Sequence, residues 1–446
     1  MQLELSSAYL ERIKHFKLPE EPDKVNREFF LYSAEQGTAY EKITISGLYH
    51  AIRDEMIADV NDAGWGKSED FNRLTDYQKR MLMTFINNAC LGAYRQWIED
   101  GKQMPLEDVI DMTNCLVLGG VRSFFQMKTR KLHNLTVSEV GMGCMAFSHG
   151  YGQIPSEQYS IEAIRNGYDH GCTFFDTAEV YSPGLSGIGH NELIVGKALK
   201  DVRENVVIAT KLMLHGFSSG SVYQTIRKHL EASMKRLQTD HVDLYYLHRM
   251  GGTSVEKVAE AMGRLIDEGL IGGWGLSQVD VDIIDRAQRV TPLTAIQNIY
   301  SMVERDSEAA IIPYCMAHDI GFVPFSPIAS GLLSGKITPQ TQFESYDDVR
   351  NWVPQLSRAN IKGNQPIVDL LKQYAEMKQA TPAQISLAWM LHKYPNVVPI
   401  PGSKNKERIV ENLSAANVEL AEGEFNALEA SLNQCRVYGH RGLGGF

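Results

Sequence analysis

Three stretches decide the fold: CTFFDTA (172–178), NVVIATKL (205–212) and HVDLYYLHR (241–249). Each contains a short run of aromatic and β-branched residues, which is typical of a buried strand. Segments with apolar residues at helical spacing, such as residues 221–237, lie between or after them. Strands that alternate with amphipathic helices predict a parallel sheet covered by helices.

Further runs of the same kind bring the number of expected strands to eight: VSEVGMGC (137–144), IGGWGLSQ (271–278), LTAIQNIY (293–300), GFVPFSP (321–327) and NVVPIPGS (396–403). Eight strands in about 320 residues predict an α/β fold, a (β/α)8 TIM barrel. A doubly wound sheet is the alternative. It is disfavoured because GMGC is followed by MAFSHGYG, without the G-x-G-x-x-G turn and helix of a dinucleotide-binding fold.

The first part of the chain has a different pattern. Up to about Phe125, turn-like breaks separate helical stretches such as TFINNACLGAYRQWIEDG (84–101), and a further helix is expected near Pro105. We therefore predict two domains, an all-helical N-terminal region over residues 1–126 and the barrel over residues 127–446.

The stretch YRQWIEDGKQMPLEDVIDMTNCLVLGGVRSFF (94–125) resembles the carboxy-terminal helical domain of TetR-type transcriptional repressors. The resemblance covers roughly residues 20–125 and implies a ligand-binding or dimerising module. The basic helix-turn-helix of such repressors is not seen, and residues 1–126 hold 14 Lys and Arg against 20 Asp and Glu, a net −6. We expect no DNA contact by this region, and consider a homodimer through it.

Composition narrows the class of protein. The 446 residues carry a formal net charge of −10, which gives no basic field for nucleic acid or anionic lipid. No apolar run approaches the roughly 18 residues of a membrane span, and the first residues do not resemble a secretory signal, so we expect a cytoplasmic protein. The six cysteines lack C-x-x-C spacing and the histidines lack paired ligand spacing, so neither a disulfide framework nor a metal site is predicted.

Polar residues end three successive strands, where a barrel builds its active site. They are Asp176, Lys211 and His248, and Tyr181 follows Asp176 by five positions. Each alone could be a cap, a loop aromatic, a solvated terminus or a core histidine. Together they predict one titratable site on one rim of the barrel.

These four residues suggest a carbonyl reduction. Tyr181 would protonate a carbonyl oxygen, Lys211 would lower the pKa of the phenol, Asp176 would orient Lys211, and His248 would hydrogen-bond the same oxygen. None of the four is placed as a nucleophile in this scheme, so a hydride is the simplest group to reach the carbon. A Schiff-base aldolase using Lys211 is an alternative, but it leaves Tyr181 without a role.

The motifs DTAEVY (176–181), IATK (208–211) and YYLH (245–248), followed by GLS, QNIYS, FSP and IPGS, resemble those of the aldo-keto reductase family over residues 127–446. The resemblance implies an NAD(P)H-dependent reductase of aldehydes or ketones on a (β/α)8 barrel, with these four residues as the catalytic tetrad. Some relatives are non-enzymatic accessory subunits, which leaves a binding role as a second hypothesis.

The resemblance also implies the cofactor residues. Ser277 and Gln297 match positions that hold the nicotinamide carboxamide, and Phe325 matches an aromatic ring that stacks on the nicotinamide. The pyrophosphate loop corresponds to Ser326, Ile328, Gly331 and Leu333, and the adenosine end to Ser403, Lys404, Arg408 and Asn412. Two cations at a helix start favour NADPH. An ordinary Pro/Gly turn and a solvated basic helix start are the alternatives for the two segments.

Overall fold

The computed structural model describes residues 2–16, 18, 21–46, 65–68, 71–72, 74–124, 128–184, 187–214, 221–343 and 348–442. The chain divides into two compact units, Met1–Gln126 and Met127–Phe446. Each unit buries an apolar cluster of its own. No helix among these residues is both long enough and apolar enough to cross a bilayer.

The first unit is helical, as predicted. The α-helices among its described residues are α1 Gln2–Ile13, α2 Pro22–Glu35, α3 Gly37–Ile45, α4 Asp76–Glu99 and α5 Leu106–Phe124. The side chain of Thr75 caps α4 by accepting a hydrogen bond from the backbone N–H of Gln78. The predicted helical stretch 84–101 lies largely on α4, where the side chains of Ile86, Cys90 and Tyr94 are buried. Phe125, at the end of the TetR-like stretch, lies outside the described residues.

Parallel strands form the centre of the second unit. A hairpin comes first, with strands β1 Thr129–Leu132 and β2 Leu135–Ser138. Strands β3 to β9 then pair in chain order in one parallel sheet: β3 Met142–Gly143, β4 Phe174–Asp176, β5 Val207–Leu212, β6 Leu244–Leu247, β7 Trp274–Ser277, β8 Ala295–Gln297 and β9 Gly321–Phe322. Leu132 of the hairpin joins Phe174, Leu244 and Val398 in one buried cluster with other strand residues, so the hairpin helps to fill the barrel.

Residues 396–403 close the sheet into a barrel. On one side the N–H of Val398 donates to the carbonyl of Phe322 at 2.9 Å, and on the other the N–H of Gly141 donates to the carbonyl of Pro399 at 2.9 Å. Pro399 and Pro401 have no N–H, so this segment makes parallel bridges to both neighbours instead of a regular strand. The predicted (β/α)8 barrel is confirmed, and closure excludes the doubly wound alternative.

Helices cover the barrel and fix the direction of its strands. They are α6 Glu157–Asp169, α7 His190–Leu199, α8 Val222–Leu237, α9 Val255–Asp267, α10 Val281–Gln288, α11 Ile311–Ala317, α12 Arg358–Gly363, α13 Gln365–Lys378, α14 Pro382–Lys393, α15 Lys406–Leu413 and α16 Glu422–Gln434. Ser156, Ser254 and Asp280 cap three of them with their side-chain oxygens. Because β3 to β9 pair in parallel, their carboxyl ends all lie on the same rim of the barrel.

Candidate active site

The structure brings together the four side chains predicted at the strand ends. Asp176 is the last residue of β4, Lys211 lies near the end of β5, and His248 directly follows β6. Tyr181 comes from the loop after β4, and its hydroxyl accepts a hydrogen bond from Lys211 Nζ at 3.4 Å. The side chains of Asp176, Lys211 and His248 are buried.

Asp176 and Lys211 form a buried ion pair. Lys211 Nζ donates to Asp176 Oδ1 and to the carbonyl oxygen of Thr177, the latter at 2.8 Å. Gln297 Nε2 donates to the second carboxylate oxygen of Asp176 at 2.8 Å. Burial is the largest single effect and would lower the pKa of Lys211, but the interactions with Asp176 and Tyr181 together outweigh it. The pKa of the ammonium is therefore raised, and the group is charged at neutral pH.

Tyr181 is held as a neutral phenol. Burial raises its pKa, and the nearby Lys211 ammonium acts in the opposite direction without reversing the shift. Lys211 thus lowers the pKa of this phenol, as predicted, but desolvation is the larger effect, so the pKa stays above its usual value. An ammonium has only donors, so the tyrosine oxygen accepts from Lys211 and its own proton stays free for another acceptor.

His248 lies beside Tyr181 as a neutral imidazole. The two ring centroids are 5.7 Å apart and the rings are nearly perpendicular, at 84°. Burial lowers the pKa of His248 well below its usual value, and the cations Lys211 and Arg249 act in the same direction. Within the described part of the chain, its buried Nδ1 has no hydrogen-bond partner.

A cavity of about 640 Å³ opens over this group, at the carboxyl ends of the strands. Asp176, Tyr181 and His248 line it. So do most residues predicted to bind the cofactor: Ser277, Gln297, Phe325, Ser326, Ile328, Gly331, Ser403, Lys404, Arg408 and Asn412. Leu333 does not, since its side chain is fully buried in the core. The described residues hold no cluster of three or more His, Cys, Asp or Glu side chains suited to a metal ion.

The loop after β9 has an unusual backbone. Ser326, Ala329 and Ser330 have φ of 54°, 48° and 54°, in the left-handed region that non-glycine residues seldom occupy, and Gly331 has φ of 99°. Consecutive residues of this kind are retained where the surrounding structure determines them, often at ligand sites. This backbone runs along the cavity, as the predicted pyrophosphate loop would.

The basic segment after residue 402 differs in part from the prediction. Asn405 caps α15 by accepting the N–H of Arg408 at 2.8 Å, so the expected helix start is present. Lys404 Nζ, however, donates to the carbonyl oxygens of Tyr151 at 2.7 Å and Gln153 at 2.5 Å. The side chain of Arg408 has no partner among the residues described here and lines the cavity. Arg408 is thus the cation of this pair that is free for a ligand.

Three arginines that were not predicted as site residues also line the cavity: Arg249, Arg350 and Arg441. Arg249 donates from Nη1 to Ser277 Oγ at 3.1 Å and to the carbonyl of His248 at 2.6 Å. It directly follows a predicted strand end, and that position could have identified it. Arg441 comes from the carboxy-terminal tail, more than a hundred residues from the side chains it faces, and no local pattern marks it.

Comparison with known proteins agrees with this geometry. The sequence model of the aldo/keto reductase family matches residues 139–433. A probable aldo-keto reductase of Glycine max is 35% identical over 304 residues, covering 66% of this chain and 84% of that protein. The NADP(+) aldo-keto reductase yakc of Schizosaccharomyces pombe is 32% identical over 326 residues, covering 70% and 94%.

Solved structures show the same barrel. A glycerol dehydrogenase from Gluconobacter oxydans superposes with a TM-score of 0.61 at 27% identity, covering 68% of this chain and 93% of that one. An aldo/keto reductase from Klebsiella pneumoniae in complex with NADP and acetate gives 0.54 at 27% identity, covering 71% and 99%. The chain is an enzyme that belongs to the aldo/keto reductase family.

Proposed function

We propose that this enzyme reduces an aldehyde or ketone to an alcohol, with NADPH as the hydride donor and Tyr181 as the general acid. The observation that carries the proposal is the hydrogen bond from the Lys211 ammonium to the Tyr181 hydroxyl, at the wall of a cavity at the strand ends. The yakc reductase and the Klebsiella complex, both named with NADP, support the choice of cofactor.

The cavity fits a dinucleotide. Its volume of about 640 Å³ lies in the range of small-molecule and cofactor sites. Phe325 offers an aromatic face, Ser277 a hydroxyl, and Arg408 an unpaired cation for a phosphate. Asn412, Ser403 and the backbone around Gly331 complete the set of groups that would hold the cofactor.

Side chains of the protein supply the proton that the carbonyl oxygen takes up during reduction. NADPH, when bound, supplies the hydride to the carbonyl carbon. Tyr181 gives its proton to the carbonyl oxygen, and Lys211 stabilises the phenolate left behind, because an ammonium beside the phenol oxygen favours its charged form. Asp176 keeps Lys211 in place, and neutral His248 orients the same carbonyl oxygen by hydrogen bonding.

The aldolase alternative requires a neutral lysine amine. Lys211 is instead a fully buried ammonium paired with Asp176, with its pKa raised, so it is a poor nucleophile.

The proposed function is tested by incubating the enzyme and NADPH with a panel of aldehydes and ketones and monitoring the loss of NADPH absorbance. We expect turnover with at least one class of carbonyl. NADPH binding without turnover of any of them would instead support an accessory subunit.

Cofactor preference should depend on Arg408. If its guanidinium binds the 2′-phosphate, Arg408→Ala should weaken NADPH binding roughly tenfold or more while NADH binding changes little, because only NADPH carries that phosphate. Cofactor fluorescence titrations measure both affinities. Lys406→Ala is the matched control, since Lys406 lies on the same helix and pairs with Glu162. Equal losses for the two cofactors in Arg408→Ala would assign Arg408 to the adenine or to structure.

The helical unit supports a second proposal, a homodimer formed through this region. Tyr77, Met81 and Phe85 repeat every four residues along α4 and are 66%, 52% and 46% exposed, which leaves an apolar stripe on this helix. A second copy of the chain would cover it. Sedimentation should show a dimer for the wild type and a monomer for Met81→Glu, whereas a monomeric wild type would contradict the proposal. The TetR resemblance, the lack of nucleic-acid binding and the cytoplasmic location stay predictions.

A further inference from the structure

The carboxy-terminal tail, residues 435–442, returns from the end of α16 to the cofactor cavity. Arg441 and Gly442 line that cavity. Arg441 Nε donates to Ser326 Oγ at 3.1 Å, and Ser326 is the first residue of the left-handed loop after Phe325. A side chain from the tail therefore reaches the loop expected to run along the cofactor's pyrophosphate.

Buried polar groups hold the tail in this position. Asn364, which is fully buried, bonds both backbone groups of Tyr438: its Nδ2 donates to the carbonyl at 2.8 Å and its Oδ1 accepts the N–H at 2.9 Å. The N–H of Gln355 donates to the carbonyl of His440 at 3.1 Å, and the N–H of Arg441 donates to Glu304 Oε1. Because these bonds use the main chain of the tail, they do not depend on which side chain stands at position 441.

The tail packs closely against the barrel unit at Gly439. Gly439 has φ of +74°, and a Cβ at this position would lie 2.6 Å from Asn360 Nδ2 and 2.9 Å from the backbone nitrogen of Gln355. A glycine is needed here for both its conformation and the space. The tail is thus a part of the cavity wall that is held by hydrogen bonds and close packing, and it carries Arg441 to the cavity.

Among the described residues, the guanidinium of Arg441 has a single hydrogen-bond partner, Ser326. Arginine has five N–H donors, and one of them is used on Ser326. In the described ranges, no carboxylate lies within ion-pair distance of this side chain. A planar, permanently charged fork of this kind matches the paired oxygens of a phosphate group and is weakly hydrated, which suits a partly buried site.

We propose that Arg441 binds the pyrophosphate of the nicotinamide dinucleotide, so that the carboxy-terminal tail is part of the cofactor site. This inference rests on the proposed function, since it takes the cavity to be the dinucleotide site. It differs from the assignment of Arg408, because the pyrophosphate is common to NADPH and NADH whereas the 2′-phosphate is not. The two arginines should therefore have different effects on cofactor selectivity.

Fluorescence titration of the full chain with NADPH and with NADH tests the proposal without measuring turnover. We expect Arg441→Ala to weaken both cofactors by a similar factor, roughly 10- to 100-fold, and Arg441→Lys to weaken them less. Arg436→Ala is the control, since Arg436 lies in the same tail over the ring of Tyr438, 5.0 Å from its centroid, and does not line the cavity. Thermal unfolding checks that the variants are folded.

Wild-type affinity for both cofactors in Arg441→Ala would overturn the proposal, whether or not the KM for carbonyl substrates rises. A loss confined to NADPH would also overturn it, because that result would place Arg441 at the 2′-phosphate. If the wild type itself bound neither cofactor, the proposed function would fail before this inference was reached. The two failures are therefore distinguishable.

Discussion

Replacement of Tyr181 by Phe should lower turnover by about two to four orders of magnitude, which is the usual contribution of a general acid. The ring remains, so the contact with His248 and the fold should persist, and NADPH should bind as in the wild type. Steady-state kinetics with a carbonyl substrate and a fluorescence titration with NADPH measure the two properties. Tyr151→Phe is the matched control, since Tyr151 lines the same cavity outside the group of four. Unchanged turnover in Tyr181→Phe would remove Tyr181 from the mechanism.

The pH dependence of the reaction rate should reflect the ionisation of the Tyr181 phenol. Burial raises the pKa of Tyr181, so the phenol is protonated through the neutral range and reduction should change little there. The acid form is lost as the pH rises above that pKa, so the rate of reduction should fall only in alkaline solution. Oxidation of the alcohol needs the phenolate, so its rate should rise with pH. If the rate of reduction already fell with rising pH in acidic solution, the proton donor would be a group with a much lower pKa than Tyr181, and its assignment as the general acid would be contradicted.

Replacement of Lys211 by Met should lower turnover by a similar factor, because the ammonium that donates to the Tyr181 oxygen and stabilises the phenolate is then missing. It should also destabilise the fold, by roughly 3 kcal/mol, since Asp176 is left as a buried carboxylate without its cation. Urea unfolding measures the second effect. The loss of stability should be largest at neutral and higher pH, where an unpaired Asp176 must either stay charged or take up a proton.

A double variant separates the two effects of Lys211. Asp176→Asn combined with Lys211→Met removes both charges, so much of the stability should return while turnover stays low. Normal activity of Lys211→Met would contradict the role given to the ammonium. Stability of the double variant no better than that of Lys211→Met would show that the ion pair is not the source of the loss.

The barrel and its site could be predicted because their signals are local. The strands are short apolar runs ended by a polar residue, and the carboxyl ends of parallel strands meet on one rim. That rule alone places Asp176, Lys211 and His248 together without any knowledge of the helices. The segment 396–403 could also be predicted as the eighth strand from its apolar run. It closes the barrel, although its prolines prevent a regular strand.

The features of the site that could not be predicted depend on contacts between residues far apart in the sequence. Leu333 matches a cofactor position by motif but packs into the core. The ammonium of Lys404 donates hydrogen bonds to the carbonyl oxygens of Tyr151 and Gln153. The pKa of Tyr181 follows from the extent of its burial, which only the packed structure reveals. Arg441 lies at the cavity because hydrogen bonds join the tail to residues far away in the sequence. The tail itself is too short to show a periodic pattern, so its position could not be predicted.

Transfer of a label tests the central claim most directly. NADPH deuterated at both hydrogens of nicotinamide C4, incubated with the enzyme and a carbonyl substrate that it consumes, should give an alcohol with one deuterium on the former carbonyl carbon. One cofactor should be oxidised for each alcohol formed, and Tyr181→Phe should slow both by the same factor. Alcohol without deuterium, or substrate consumed without oxidation of NADPH, would contradict hydride transfer by this enzyme.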